Sequence, residues 1–178
     1  MEKSRMRQIS TVSLGRHGRT LLHMITAPGK FFESRRDQLI PAAAGTFLLI
    51  SATLFTALSL AFQRSRMPLV TGAILLGNAL GMVMILSFIS YLVMVLSMGR
   101  KTSYGRIFSI FAYASGTSLM AAWIPHLLVV SEPWRWVLIG IGLTKGCGIR
   151  WMGSIWIIIC SVTIMTILFR SVLPLVQA

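Results

Sequence analysis

Residues 99–116 read GRKTSYGRIFSIFAYASG, and their character changes halfway along. Arg100, Lys101 and Arg106 lie in the first eight residues, and no charged residue follows Arg106 until Glu132. Short basic segments beside long apolar runs are typical of the cytosolic loops of membrane proteins, where positive charge determines orientation. The stretch therefore predicts a basic cytosolic loop that leads into a membrane helix.

The composition of the whole chain also indicates a membrane environment. Of its 178 residues, 55% are hydrophobic and 12% are charged, and the mean hydropathy is +0.77. A typical soluble protein has about 25% charged residues, so a soluble fold of this size could not bury so much apolar surface. A net charge of +13 is also typical of nucleic-acid-binding proteins, but here the cations cluster between apolar runs. We therefore expect anionic lipid as a partner, and no nucleic acid.

Four apolar runs have about the length that a membrane helix needs, which is roughly 20 residues. A fifth, Val137–Leu143, is short: extended over Pro133–Ile149 it would cross with Lys145 at the membrane surface, and otherwise it would be re-entrant. The expected fold is an all-α integral membrane bundle of five transmembrane helices, the fourth being short or re-entrant. The four longer runs are Leu39–Phe62, Leu69–Met98, Ile107–Val130 and Met152–Phe169.

The distribution of charge predicts the orientation of this bundle. With five spans and a cytosolic N-terminus, 13 cations lie inside and 4 outside. The positive-inside rule therefore favours a cytosolic N-terminus and an external C-terminus. We expect residues 1–37 to form a basic cytosolic segment and residues 38–178 to form the membrane domain.

The N-terminal segment contains a helical pattern of apolar residues. Leu14, Leu21, Leu22 and Ile25 share one face with Gly18, and basic residues take other positions. This spacing predicts an amphipathic helix on an anionic membrane surface, ended by Pro28. A disordered basic tail is the alternative, since glycine weakens a helix.

Pairs of small residues four positions apart mark two candidate helix contacts. Gly77 and Gly81 lie in the second run, and Ala112 and Gly116 in the third. Such pairs allow close approach of helix backbones in lipid, either within one chain or between two. Asn78, the most polar residue of the second run, is expected to hydrogen-bond to a neighbouring helix.

Five basic residues are candidate contacts to lipid headgroups or to a protein partner. They lie just before the first predicted span and in the loop before the third, where a cytosolic anionic surface would attract them. These residues are Arg35, Arg36, Arg100, Lys101 and Arg106.

Residues suited to catalysis are few. The four acids are Glu2, Glu33, Asp37 and Glu132, and none lies within a predicted span. The two cysteines do not match a metal motif, so we expect no metal, no cofactor and no enzymatic activity. The expected function is a membrane scaffold or accessory subunit that binds other membrane proteins, lipids or itself. A small transporter or channel component is the alternative, less favoured because such proteins usually keep an ionisable residue in their pathway.

The quoted stretch, followed by WIP at 123–125 and WRWVLIGIGLTKGCGIRW at 134–151, resembles the Yip family. These are small polytopic membrane proteins named for interaction with Ypt/Rab GTPases, and APGKFFES at 27–34 fits their pattern before the first span. The resemblance implies five membrane helices, a cytosolic N-terminus and an exposed C-terminus. Eukaryotic members carry a DLYGP-type motif that this chain lacks, so GTPase binding is not carried over. The bacterial branch is the better comparison, which implies the inner (cytoplasmic) membrane.

Overall fold

The computed structural model describes residues 17–34, 39–62, 67–99, 102–122 and 125–177. Within these ranges the fold is entirely helical, as the sequence predicted, and no strand is present. The helices are α1 (residues 17–26), α2 (Pro28–Ser34), α3 (Pro41–Phe62), α4 (Pro68–Met98), α5 (Tyr104–Ala122), α6 (Pro125–Cys147) and α7 (Trp151–Gln177).

Among the described residues, three segments are long and apolar enough to cross a membrane: Pro41–Phe62, Pro68–Met98 and Trp151–Ser171. Helix α5 is less apolar than these three segments, and it is the central helix of the bundle. It contacts α3, α4 and α6, and every residue from Ser109 to Ser118 is buried. A helix that faces protein on all sides does not need a lipid-compatible surface, so α5 can contain glycine, serine and threonine.

Proline residues determine where several of these helices begin. Pro28, Pro41, Pro68 and Pro125 each take the first position of a helix, where the missing N–H has no intrahelical partner to lose. Pro125 lies inside the run Ile107–Val130, which was expected to form one span.

That expectation was wrong, because the run is divided between the end of α5 and the start of α6. Helix α6 consequently begins eight residues before Pro133 and contains 23 residues, a length of about 34 Å at 1.5 Å per residue. It runs from Pro125 to Cys147 as one helix without reversing direction.

Contacts between helices give their relative directions. Pro41 lies against Gly105 and Phe47 against Gly116, so α3 and α5 are parallel. Ser118 bonds to Ser131 while the backbone at Gly142 approaches Ile110, so α6 is antiparallel to α5. The contacts from Thr144 to Ser154 and from Gly140 to Ile158 make α7 antiparallel to α6. These contacts place the start of α3 and the distal end of α7 at opposite ends of the bundle.

Two glycines with positive φ follow helices at one end of the bundle. Arg106, Lys145 and Arg150 lie at this end, which is called the basic end below. Gly99 (φ 61°) follows α4 and donates its N–H to the carbonyl of Val95 at 3.0 Å. Gly148 (φ 65°) follows α6. A left-handed residue after a helix is least strained where no Cβ is present, so glycine at these positions permits the chain to turn sharply away from the helix.

The N-terminal segment contributes to the core. Phe31 and Phe32 of α2 and Met24 of α1 are fully buried, although all three precede the predicted boundary at residue 37. The helix predicted before Pro28 is present over residues 17–26, but Leu22 on its predicted apolar face is 62% exposed. Its position on an anionic leaflet and the domain boundary both stay predictions.

Candidate functional site

Hydroxyl side chains connect neighbouring helices inside the bundle. Such bonds are useful in a membrane protein because no water is available to satisfy a polar group in hydrocarbon. Several of these hydroxyls also bond to the carbonyl one turn earlier in their own helix. The interhelical contacts include Ser90 to Ser161 at 2.9 Å, Thr144 to Ser154 at 3.0 Å, Ser118 to the carbonyl oxygen of Ser131 at 3.0 Å, and Ser87 to the Tyr104 hydroxyl at 3.3 Å.

One charged pair lies inside helix α6. The guanidinium of Arg135 contacts the carboxylate of Glu132 at 2.9 Å, and the two side chains are 24% and 45% exposed. The guanidinium carbon of Arg135 also lies 5.2 Å from the centre of the Trp136 ring. Its Nε is buried and has no hydrogen-bond partner in the described part of the chain. The pair is therefore held together in a partly apolar environment.

Sequence reasoning missed this pair because it placed Glu132 outside every span. Because α6 begins at Pro125, Glu132 is the eighth residue of the helix and lies in its third turn. The available signal was the i, i+3 spacing of opposite charges, which is typical of paired residues on one helix face.

Besides burying Met24 in the core, helix α1 contacts α3 through His17. The imidazole stacks on the Phe47 ring, with centroids 4.3 Å apart and planes 22° from parallel. Its Nε2 lies 3.3 Å from the Ser51 hydroxyl oxygen. Burial lowers the pKa of His17 below its ordinary value of 6.5, because desolvation disfavours the charged imidazolium.

The structure places the two small-residue pairs differently. Ala112 and Gly116 lie in the buried part of α5, and a Cβ at Gly116 would come within 2.7 Å of the Phe47 ring. At Gly77 and Gly81 a Cβ would meet no atom within 4 Å among the described residues. Gly77 and Gly81 therefore do not pack against another described helix of this chain, and contact with a second molecule stays a prediction.

The structure also separates Asn78 from the basic residues that were predicted to contact lipid or a partner. Asn78 is exposed on α4, and Arg106 is half-buried in the first turn of α5. Arg35, Arg36, Arg100 and Lys101 lie outside the described residues. At this end of the bundle Lys145 of α6 contacts Glu33 of α2 at 3.5 Å, which connects the start of the chain to the end of α6. Among the described residues no group of His, Cys, Asp or Glu could hold a metal ion.

Apolar helices of membrane-spanning length around a central hydroxyl-rich helix define a multi-pass integral membrane protein of the all-α class. The family comparison agrees: the model of the Yip1 domain matches residues 22–172, so the chain belongs to the Yip1 domain family. The predicted resemblance is confirmed. No curated protein and no solved structure matches the chain.

Proposed function

We propose that this Yip1 domain protein is a non-enzymatic scaffold or accessory subunit of the bacterial inner membrane that binds other integral membrane proteins and anionic lipids. The observation that carries the proposal is the exposed face of α4. Leu69, Ile74 and Gly77 on its first half are exposed, and so is Asn78. This half of the longest helix in the fold presents a lateral surface to the membrane.

The chemistry of this face favours a protein helix over lipid alone. The Asn78 amide is exposed on α4, and an amide left without a hydrogen bond in hydrocarbon costs several kcal/mol. A helix with a polar side chain opposite Asn78 would satisfy that amide. The open surface at Gly77 and Gly81 would allow its backbone to approach closely. We infer that the occupant is an apolar membrane helix of another integral membrane protein.

A photo-crosslinking amino acid tests this assignment. Placed at Ile74 in the full chain in native membranes, it is expected to give a discrete adduct with another membrane protein. The same group at Ile159, which is exposed on α7, is the matched control and should not give that adduct. Gly77→Leu with Gly81→Leu should abolish the Ile74 adduct, because the added side chains hold the partner helix away.

Two other outcomes would contradict the proposed occupant. An adduct of twice the mass of the chain would mean that a second copy covers α4. Equal labelling of lipid at Ile74 and Ile159 would mean that the α4 face lies against the bilayer and that the proposal is wrong.

Five crossings with a cytosolic N-terminus and an external C-terminus are the orientation that we propose. Ser90 of α4 contacts Ser161 of α7 and Met98 lies against Gly153, so α4 is antiparallel to α7 and the directions of α3 to α7 alternate. This alternation and the excess of cations on one side support the proposal. An alkaline phosphatase fused after Ala178 is therefore expected to be active in the periplasm, and one fused after Gly99 to be inactive. An inactive fusion at Ala178 with a folded protein would mean an even number of crossings.

The basic end of the bundle supports the lipid part of the proposal. Arg106, Lys145 and Arg150 belong to the ends of helices or the connections between them, where an anionic headgroup layer attracts cations at about 1 kcal/mol each. A transporter or channel component is the second candidate, because Glu132 and Arg135 lie within α6. Their mutual contact at 2.9 Å favours a structural role, since it neutralises the carboxylate that a coupled transporter would use.

A further inference from the structure

The contact of α1 with α3 includes one ionisable ring, that of His17, while Met24 of the same helix is buried in the core. His17 covers Phe47 and Ser51, which lie one turn apart on α3. Beneath them is Gly116 of α5, where a Cβ would come within 2.7 Å of the Phe47 ring and 3.2 Å of the Ser51 hydroxyl. Because Gly116 has no side chain, Phe47 and Ser51 can lie close to the backbone of α5, in the positions where they contact the His17 imidazole.

We propose that α1 is docked on α3 while His17 is neutral and is released from α3 when His17 is protonated. This inference is independent of the proposed scaffold function. It assigns a pH-dependent conformational change to α1, the helix before α2 and α3, and the change is caused by protonation of His17.

The surroundings of His17 favour the neutral ring. A neutral imidazole can stack on Phe47 and exchange one hydrogen bond with Ser51 without bringing a charge out of water. An imidazolium at the same place would lose part of its hydration, and a phenyl ring and one hydroxyl replace it only in part. The lowered pKa of His17 agrees with this comparison, because its cause is desolvation by burial.

Among the described residues, no acidic side chain compensates the positive charge of a protonated His17. Helix α3 has no charged residue, and α5 has only Arg106. On α2 the acid Glu33 contacts Lys145 at 3.5 Å. None of the ion pairs found among the described residues includes His17. The remaining charged or titratable groups on the described parts of α1 and α2 are Arg19, His23 and Lys30.

The direction of the pH dependence follows from the lowered pKa. The docked state binds the proton more weakly than the released state, whose His17 has the ordinary pKa of 6.5. Docking is therefore fully favoured above that value and weakens as the pH falls through it toward the lowered pKa. One proton can change the ratio of docked to released protein by at most about tenfold per pH unit.

Distance measurement between two spin labels tests the proposal on the full chain. The labels are attached at Leu22 of α1 and Leu54 of α3, both exposed, after replacement of Cys147 and Cys160 by alanine. In phosphatidylcholine nanodiscs we expect one short-distance population at about pH 8 and a growing long-distance population at about pH 5, reversible on return to the higher pH. A second label pair at Leu54 and Ile159 should not change, which shows that the bundle stays folded.

Three variants separate titration of His17 from other effects of acid. His17→Phe keeps an aromatic ring on Phe47 and cannot be protonated, so it should stay docked at both pH values. His17→Arg carries a permanent charge and should be released even at about pH 8. His23→Gln changes the exposed histidine of the same helix and should keep the response of the wild type. Unchanged distances in the wild type, or a response in His17→Phe equal to that of the wild type, would overturn the proposal.

Discussion

Replacing Phe32 with alanine is expected to lower the free energy of unfolding by about 3–5 kcal/mol, the usual cost of truncating a buried phenylalanine. Phe32 is fully buried, its ring lies edge-on to Phe31 with centroids 5.3 Å apart, and it approaches the backbone of α6 at Gly142. Truncation leaves a cavity between α2, α5 and α6 that these helices can close only in part. Reversible unfolding in mild detergent measures the effect.

The control for this change is Ile40→Ala. Ile40 lies close to Phe32 in the sequence, but its side chain is 58% exposed. Its truncation should change stability by no more than about 0.5 kcal/mol. Equal stability of the Phe32 and Ile40 variants would mean that α2 is not part of the cooperative folding unit.

The role of Phe32 also shows the limit of the sequence pattern at the start of the chain. Two adjacent aromatic residues in a seven-residue helix have no helical or strand period, and the basic residues around them favoured a solvated segment. The burial of Phe31 and Phe32 depends on small residues far along the chain, such as Gly142, where the missing side chain leaves space for a ring. No local window contains both parts of that contact.

The membrane helices were more predictable, because the cost of polar groups in lipid acts on each segment separately. The predicted runs for α3 and α4 agree with the helices to within two residues at each end, whereas Met152–Phe169 agrees with α7 at its start and ends eight residues before Gln177. The run that failed, Ile107–Val130, was read by hydropathy alone, although Pro125 indicated the start of a helix within it. The same error concealed Glu132, which lies in α6 only because α6 begins at Pro125.

The small-residue pairs show why a motif does not identify its own partner. Gly116 and Gly77 both belong to pairs with spacing of four, but a Cβ at Gly116 would meet Phe47, whereas a Cβ at Gly77 would meet no described atom within 4 Å. The spacing is a property of one helix, whereas the contact depends on which helix is adjacent. Gly142 forms a pair of the same spacing with Gly146, and it has less space than Gly77 because the α5 side chain Ile110 is directed at it.

Replacing Gly142 with valine is therefore expected to be the most disruptive glycine substitution in α6. The added Cβ would collide with Cγ2 of Ile110 and lie 3.2 and 3.3 Å from two carbons of the Phe32 ring. Overpacking of this kind usually costs about 1–3 kcal/mol, and more where the backbone must move. Gly77→Val is the matched control: it makes the same change in the middle of a helix, without a neighbour within 4 Å. Unfolding of the purified variants in detergent should show a loss for Gly142→Val alone.

A second substitution identifies the collision as the cause. Ile110→Ala removes the methyl group that meets the new side chain, although by itself it should cost about 2–5 kcal/mol as a cavity. Because the two residues are in contact, the double variant Gly142→Val, Ile110→Ala should be more stable than the sum of the single effects, by about 0.5–3 kcal/mol. Additive losses would show that valine at residue 142 disturbs α6 itself and that the close approach of α5 and α6 is not the reason for the glycine.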